Sequence, residues 1–234
     1  MKQESAREVA LKINGTEVRA REGMTVLDAA RSAGIEIPTL CHREELSPYG
    51  ACRLCVVELV RGNRSRIVVS CLYPVENGLE VLTESQKVAK HRKVLLELLQ
   101  ARWPWIDKEL LERYGAEPSR FDENPNFCVL CGLCVRHCSE VKKANVLGFL
   151  GRGTDRQVVI YPELAAKHCP TCGDGEMECL SVCPTGVISS EFAVSVPGIL
   201  PKLPLAYPVC VRDDDNIRHV RDSVGDREPG KNRR

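Results

Sequence analysis

The chain has 234 residues, 33 basic and 32 acidic side chains, a formal net charge of +1, 43% apolar residues, 5% aromatics and 13 cysteines. That balance excludes a polycation built to coat nucleic acid and an acidic disordered tail, and fits a globular protein of one or two domains. The opening MKQESAREVALKING is polar and of mixed charge, unlike a secretory leader, so the cysteines are expected in the cytosol, where metal ligation outweighs disulfide pairing. The stretch 192–211 has the length of a membrane span, but Pro197, Pro201, Pro204, Pro208 and Lys202 argue against a spanning helix.

In chain order, residues 9–20 read VALKINGTEVRA, two strand-like runs about Asn14-Gly15, a pair that tolerates the positive φ angles of a tight hairpin turn. Thr25 is set to cap a short helix, TVLDAARSAG, with Asp28 three residues on and Gly34 where a left-handed residue ends it. CVVELV and RIVVSC flank the turn-like Arg61-Gly62-Asn63, and GLEVLT is a further β-prone run. The first 84 residues therefore predict a sheet clasping a helix. From Ser85 onward, Val88, Leu95, Leu96 and Leu99 fall at helical spacing, an amphipathic connecting helix that Trp103-Pro104-Trp105 breaks. DKELLERYG predicts another short helix and EPSRFDENPNF is rich in turn formers, which sets a linker over 85–125. Residues 126–190 hold eight cysteines in two groups whose first members lie 41 positions apart, an imperfect duplication. Residues 191–234 read as a proline-rich apolar arm and a charged tail, the tail expected to be disordered.

The first cysteine group is Cys41, Cys52, Cys55 and Cys71, with the middle pair in the small-residue loop YGACRLC. Four thiolates supply two for each iron of a 2Fe-2S cluster, and Gly50 and Ala51 let backbone N–H groups approach the sulfurs; one zinc ion held by four cysteines is the rival reading. The second group, Cys128, Cys131, Cys134 and Cys138, has the C-x2-C-x2-C-x3-C spacing of 4Fe-4S ferredoxins. The third, Cys169, Cys172, Cys179 and Cys183, carries four extra residues between its second and third members, in a loop made acidic by Asp174, Glu176 and Glu178. Cys183 is followed by Pro184 as in those ferredoxins, whereas Cys138 is followed by Ser139. The exchange of fourth ligands in two-cluster ferredoxins assigns Cys128, Cys131, Cys134 and Cys183 to one 4Fe-4S cluster, and Cys138, Cys169, Cys172 and Cys179 to the other. A damaged site, a three-iron cluster or zinc at the stretched group is the competing reading. Cys210 is expected to be an inert packing residue, and full cysteine quartets make His42, His91, His137 and His168 unnecessary as ligands. Arg53 and Arg136, inside the cluster loops, are expected to face solvent, the alternative being that their positive charge raises the reduction potential of a nearby cluster.

PTLCHREELSPYGACRLCVVELV followed by SCLYPVENGLEVLTES closely resembles the N-terminal 2Fe-2S domain of the large iron-sulfur subunit of respiratory complex I. The same domain opens the iron-only hydrogenases and the diaphorase small subunit of NAD-reducing hydrogenases. CVLCGLCVRHCSEV with GFLGRGTDR is similar to the two-cluster ferredoxin domain found further along in that family. The resemblance covers residues 9–190 and implies an α+β chain: a β-grasp 2Fe-2S ferredoxin domain within 1–84, then a bacterial-type two-4Fe-4S ferredoxin domain within 126–190. The family's additional cluster, held by one histidine and three cysteines, does not carry over, because no cysteine lies between Cys71 and Cys128.

No phosphate-binding loop, dinucleotide fingerprint, metalloprotease helix or serine elbow is present, and Gly151-Arg152-Gly153 is too short to count as one. Clusters ligated wholly by cysteine leave no open position for substrate and serve one-electron transfer. The expected function is an iron-sulfur subunit with one 2Fe-2S and two 4Fe-4S clusters. It would relay electrons between a flavoprotein subunit, linked to NAD(P)H or ferredoxin, and a catalytic redox subunit such as a hydrogenase, formate dehydrogenase or other reductase. Nucleic acid and a membrane span are not expected. The arm GILPKLPLAYPVCV either meets a partner or straps across its own domain. Three other readings stand beside this one: a free-standing ferredoxin-like carrier, a zinc-binding scaffold, and an enzyme with an exposed iron at the third group.

Overall fold

Residues 7–117, 121, 127–170, 178–179 and 181–187 are described by the computed structural model. The backbone divides into two compact units between Leu133 and Cys134.

In the first unit, β1 (Glu8–Ile13) and β2 (Thr16–Arg21) form the antiparallel hairpin expected at Asn14-Gly15, whose φ angles of 52° and 83° are those a two-residue turn requires. Alternation along the strands buries Leu11, Ile13, Val18 and Ala20 on one face. Helix α1 (Val26–Ser32) starts at the expected cap: the Asp28 N–H donates to Thr25 Oγ1 and the Thr25 N–H donates to Asp28 Oδ2. Gly34, with φ 72°, follows its end. β3 (Val56–Arg61) and β4 (Arg64–Val69) form a second hairpin whose turn is Gly62-Asn63 alone, because Arg61 stays paired with Arg64. β5 (Glu80–Leu82) lies between the hairpins, parallel to β1 and antiparallel to β3, giving the order β2-β1-β5-β3-β4. Val26, Leu27, Ala29 and Ala30 of α1 share one core with Leu11, Ile13, Val57, Leu59 and Val81 of this mixed sheet. That is the β-grasp arrangement, and each fully buried Leu, Ile or Val contributes about 1.5–3 kcal/mol.

Helix α2 (Gln86–Arg102) begins at Ser85, whose Oγ accepts from the Val88 N–H, and packs on β3. Its buried stripe differs from the expected one. Val88, Arg92 and Leu96, four residues apart, are buried, while Leu95 and Leu99 are only half-buried. The centre of the stripe meets backbone carbonyls rather than an apolar wall, so a donor-rich side chain sits there. Trp103 ends the helix, and α3 (Lys108–Arg113) follows, capped by Asp107.

The second unit is built from shorter pieces. Helix α4 (Leu133–Arg136), which starts one residue before the division, continues into a π-helical turn, His137–Val141. Strands β6 (Leu147–Leu150) and β7 (Gln157–Ile160) pair antiparallel, and α5 (Pro162–His168) opens on a proline, whose missing N–H is harmless in a first turn. Among the described residues no helix is long and apolar enough to cross a membrane. Cys172, Asp174, Glu176, the arm and tail over 191–234, and with them Cys210, lie outside the described residues.

Candidate metal centre

The first cysteine group gathers where the second hairpin opens. Cys55 directly precedes β3, Cys71 follows β4 by two residues, and Cys52 sits three before Cys55 on a tight loop. Gly50 in that loop has φ 66°, a left-handed backbone conformation that calls for glycine. Ser70 holds the hairpin mouth, donating from its Oγ to the Cys55 carbonyl at 2.7 Å and from its N–H to the same oxygen at 3.1 Å. The first turn of α1 completes the frame, because the Val26 and Leu27 N–H groups donate to the Tyr73 and Ser70 carbonyls on either side of Cys71. All four cysteines are buried.

The thiols meet in two pairs. Cys55 accepts a hydrogen bond from the Cys71 thiol, helped by the Cys71 N–H and Ser70, which brings Cys55 down to about 6. The same thiol contact and burial push Cys71 up. Cys52 is likewise pushed up by its contact with the Cys41 thiol and by burial, while the Cys52 N–H donates to Cys41 Sγ at 3.4 Å. The Leu54 N–H donates to the Cys52 sulfur. Two thiol pairs with backbone donors aimed at the sulfurs, shielded from water, fit the donor set of a two-iron cluster.

A buried carboxylate lies on the same hairpin. Glu58 of β3 accepts from Ser65, Ser85 and Lys87, which together hold its carboxyl down at about 2, and Lys87 Nζ is 2.9 Å from Glu58 Oε1. Arg53, between Cys52 and Cys55, is exposed as expected. His91 is exposed on α2, with Nδ1 2.7 Å from the Lys87 carbonyl.

In the second unit, Cys134, Cys138, Cys169 and Cys179 are buried together with Val146, Leu147 and Ala165, and Cys183 packs against them. The Val146 N–H donates to Cys138 Sγ at 3.2 Å, and Cys183 Sγ lies 3.5 Å from Thr185 Oγ1. Cys131 is buried and Cys128 half-buried at the end of the first unit. Glu178, the described member of the acidic loop, pairs with Lys142 and lies 3.2 Å from His137 Nε2; both partners hold its carboxyl below the usual carboxylate range, Lys142 the more strongly. The expectation that Arg136 faces solvent is overturned: it is buried, on the turn of α4 that carries Cys134 and leads to Cys138, where the chain has turned inward. Ser70 and Arg92 are the residues that the cysteine spacing does not reveal. The signal for Arg92 is a charge four residues from both Val88 and Leu96 in an otherwise apolar stripe.

Residues 6–86 match the family model of a 2Fe-2S iron-sulfur cluster binding domain. The NADPH-Fe(3+) oxidoreductase subunit alpha of Geobacter sulfurreducens is 30% identical over 78% of this chain and 24% of its own length. The 78 kDa subunit of mitochondrial NADH-ubiquinone oxidoreductase from Candida albicans is 29% identical over 79% of this chain and 29% of its own length. For the 78 kDa subunit of the Neurospora crassa enzyme the values are 30%, 79% and 28%. The chain thus spans less than a third of the length of these curated relatives. A crystal structure of an NAD+-reducing NiFe-hydrogenase in the H2-reduced state contains a chain that is 30% identical with a TM-score of 0.61, covering 76% of this chain and 85% of that one.

Proposed function

The chain belongs to the iron-sulfur family that includes the 78 kDa subunit of mitochondrial NADH-ubiquinone oxidoreductase and a chain of an NAD+-reducing hydrogenase, and from that membership we propose that it is an electron-transfer subunit of a multi-subunit oxidoreductase. It relays single electrons between a flavoprotein subunit, linked to NAD(P)H or ferredoxin, and a catalytic redox subunit. The observation that carries this reading is the buried double pair of thiols at the mouth of the second hairpin. A 2Fe-2S cluster bound there supplies a one-electron site with no position open to substrate. The protein's own part is to exclude water from the sulfurs, to aim the Leu54, Cys52 and Cys71 N–H groups at them, and to fix the hairpin mouth through Ser70.

Two 4Fe-4S clusters complete the proposal, one on Cys128, Cys131, Cys134 and Cys183, the other on Cys138, Cys169, Cys172 and Cys179. Support comes from the cysteine spacing and from the shared burial of Cys138, Cys169 and Cys179. The corresponding domains are 1–84 and 126–190, joined by a helical linker over 85–125 and followed by an arm and tail over 191–234. A reducing cytoplasm is the compartment that suits thirteen cysteines used mainly as ligands.

The test is an oxygen-free purification of the tagged chain from its own host, with co-purifying proteins identified by mass spectrometry. A flavoprotein and a metal-centred reductase in fixed ratio are expected. A brown, redox-active chain that comes alone would recast it as a diffusing ferredoxin-like carrier.

A further inference from the structure

Arg92 lies at the buried centre of α2, far from the cysteines in sequence, with its side chain completely shielded from solvent. Its Nε donates to the Leu54 carbonyl at 3.0 Å and its Nη2 to the Val56 carbonyl at 2.8 Å. Its Nη1 reaches the Tyr114 hydroxyl at 2.6 Å and Glu84 Oε1 at 2.8 Å. Leu54 and Val56 flank Cys55, whose own carbonyl is taken by Ser70. Three successive carbonyls around one cluster ligand are thus held by side chains, two of them by one rigid guanidinium fork. Because C=O and N–H point opposite ways across a trans peptide, holding the Leu54 carbonyl also sets the direction of the Cys55 N–H. Leu54 is the residue whose own N–H donates to the Cys52 sulfur.

Burying a guanidinium costs several kcal/mol unless its charge is compensated. Here the compensation is partial. Glu84 is shared with Arg113 at 3.1 Å and with the Tyr114 hydroxyl at 3.0 Å, and its side chain is 41% exposed, so water screens it more than it screens Arg92. A net positive charge therefore remains in the low-dielectric interior beside the cluster loop. Reduction of the cluster adds a negative charge there, which a fixed positive charge favours.

We propose that Arg92 is a positioning residue of the 2Fe-2S site: it locks the Leu54-Cys55-Val56 backbone from the linker helix and raises the cluster's reduction potential. This rests on the cluster assignment for Cys41, Cys52, Cys55 and Cys71, and the experiment separates the two. The full chain, purified without oxygen, is titrated electrochemically while the 2Fe-2S signal is followed by electron paramagnetic resonance. At the wild-type midpoint, Arg92→Met is expected to lower the reduced-to-oxidised ratio about tenfold, a shift of about 59 mV for one electron. Arg92→Lys keeps the charge without the fork, so it restores most of the potential while its g-values move. Arg113→Met, which gives up the same carboxylate from a half-exposed position, moves the ratio far less than Arg92→Met. Should Arg92→Met fail to fold, Glu84→Gln decides. It leaves Arg92 on the carbonyls, removes the countercharge, and raises the ratio about threefold by weakening local compensation. An intact cluster with an unmoved midpoint in Arg92→Met or in Glu84→Gln overturns the proposal, as does an equal shift in Arg113→Met. A wild-type chain without any 2Fe-2S signal overturns the cluster assignment, and the inference with it.

Discussion

The two units use cysteine in different ways. In the first, Cys55 and Cys71 are two of seventeen buried residues in a core otherwise made of aliphatic side chains from a five-stranded sheet and a helix. In the second, four of the seven buried core residues among those described are cysteines, set among a four-residue helix, a π-helical turn and two four-residue strands. The first unit has an apolar core of its own; in the second, the proposed ligands make up most of the described core. Where ligands form the core, metal binding supplies part of the folding free energy.

The strongest way to break that comparison is to remove iron. Chelation under reducing conditions is expected to abolish hydrogen-exchange protection in β6 and β7 while β1, β3 and β5 keep theirs; equal loss in both units would show that the first core is not self-sufficient. Next in size, Cys55→Ser should eliminate the 2Fe-2S signal while leaving both 4Fe-4S signals intact, read by low-temperature paramagnetic resonance. Loss of every signal would mean that the units do not fold independently.

A third effect lies within the sheet. Glu58 is held down at about 2, below the usual 4.5, so its contribution to stability is fully present above 4.5 and is lost as pH falls through about 2. Glu58→Gln should therefore cost about 2 kcal/mol at pH 7, and the gap to wild type should close as pH approaches 2. Urea unfolding of the iron-free chain measures this without acid-labile clusters, and a gap that does not depend on pH contradicts it. The smallest effect is Thr25→Ala, which removes half of the capping box of α1 and should cost about 1 kcal/mol in the same assay.

What the sequence made legible is mostly local. Asn14-Gly15 announced its turn, and Thr25 with Asp28 announced its cap, because each acts within a few residues. The four cysteines of the first group could be read from spacing and from family resemblance together. Arg92 could not, because its partners Leu54 and Val56 are 38 and 36 residues away, and periodicity registers only that a charge interrupts an apolar stripe. Strands β6 and β7 were missed for a different reason. Each is four residues long, and β6 contains Gly148, a weak strand former inside the run. Arg136, expected at the surface, is instead buried on the helical turn between Cys134 and Cys138.

The measurement that bears most directly on the account is the iron and acid-labile sulfide content of the full chain purified without oxygen. About ten of each per chain are expected from one 2Fe-2S and two 4Fe-4S clusters. About two of each would leave the first unit's cluster standing and contradict the proposed pair in the second, and zinc in place of iron would contradict electron transfer altogether.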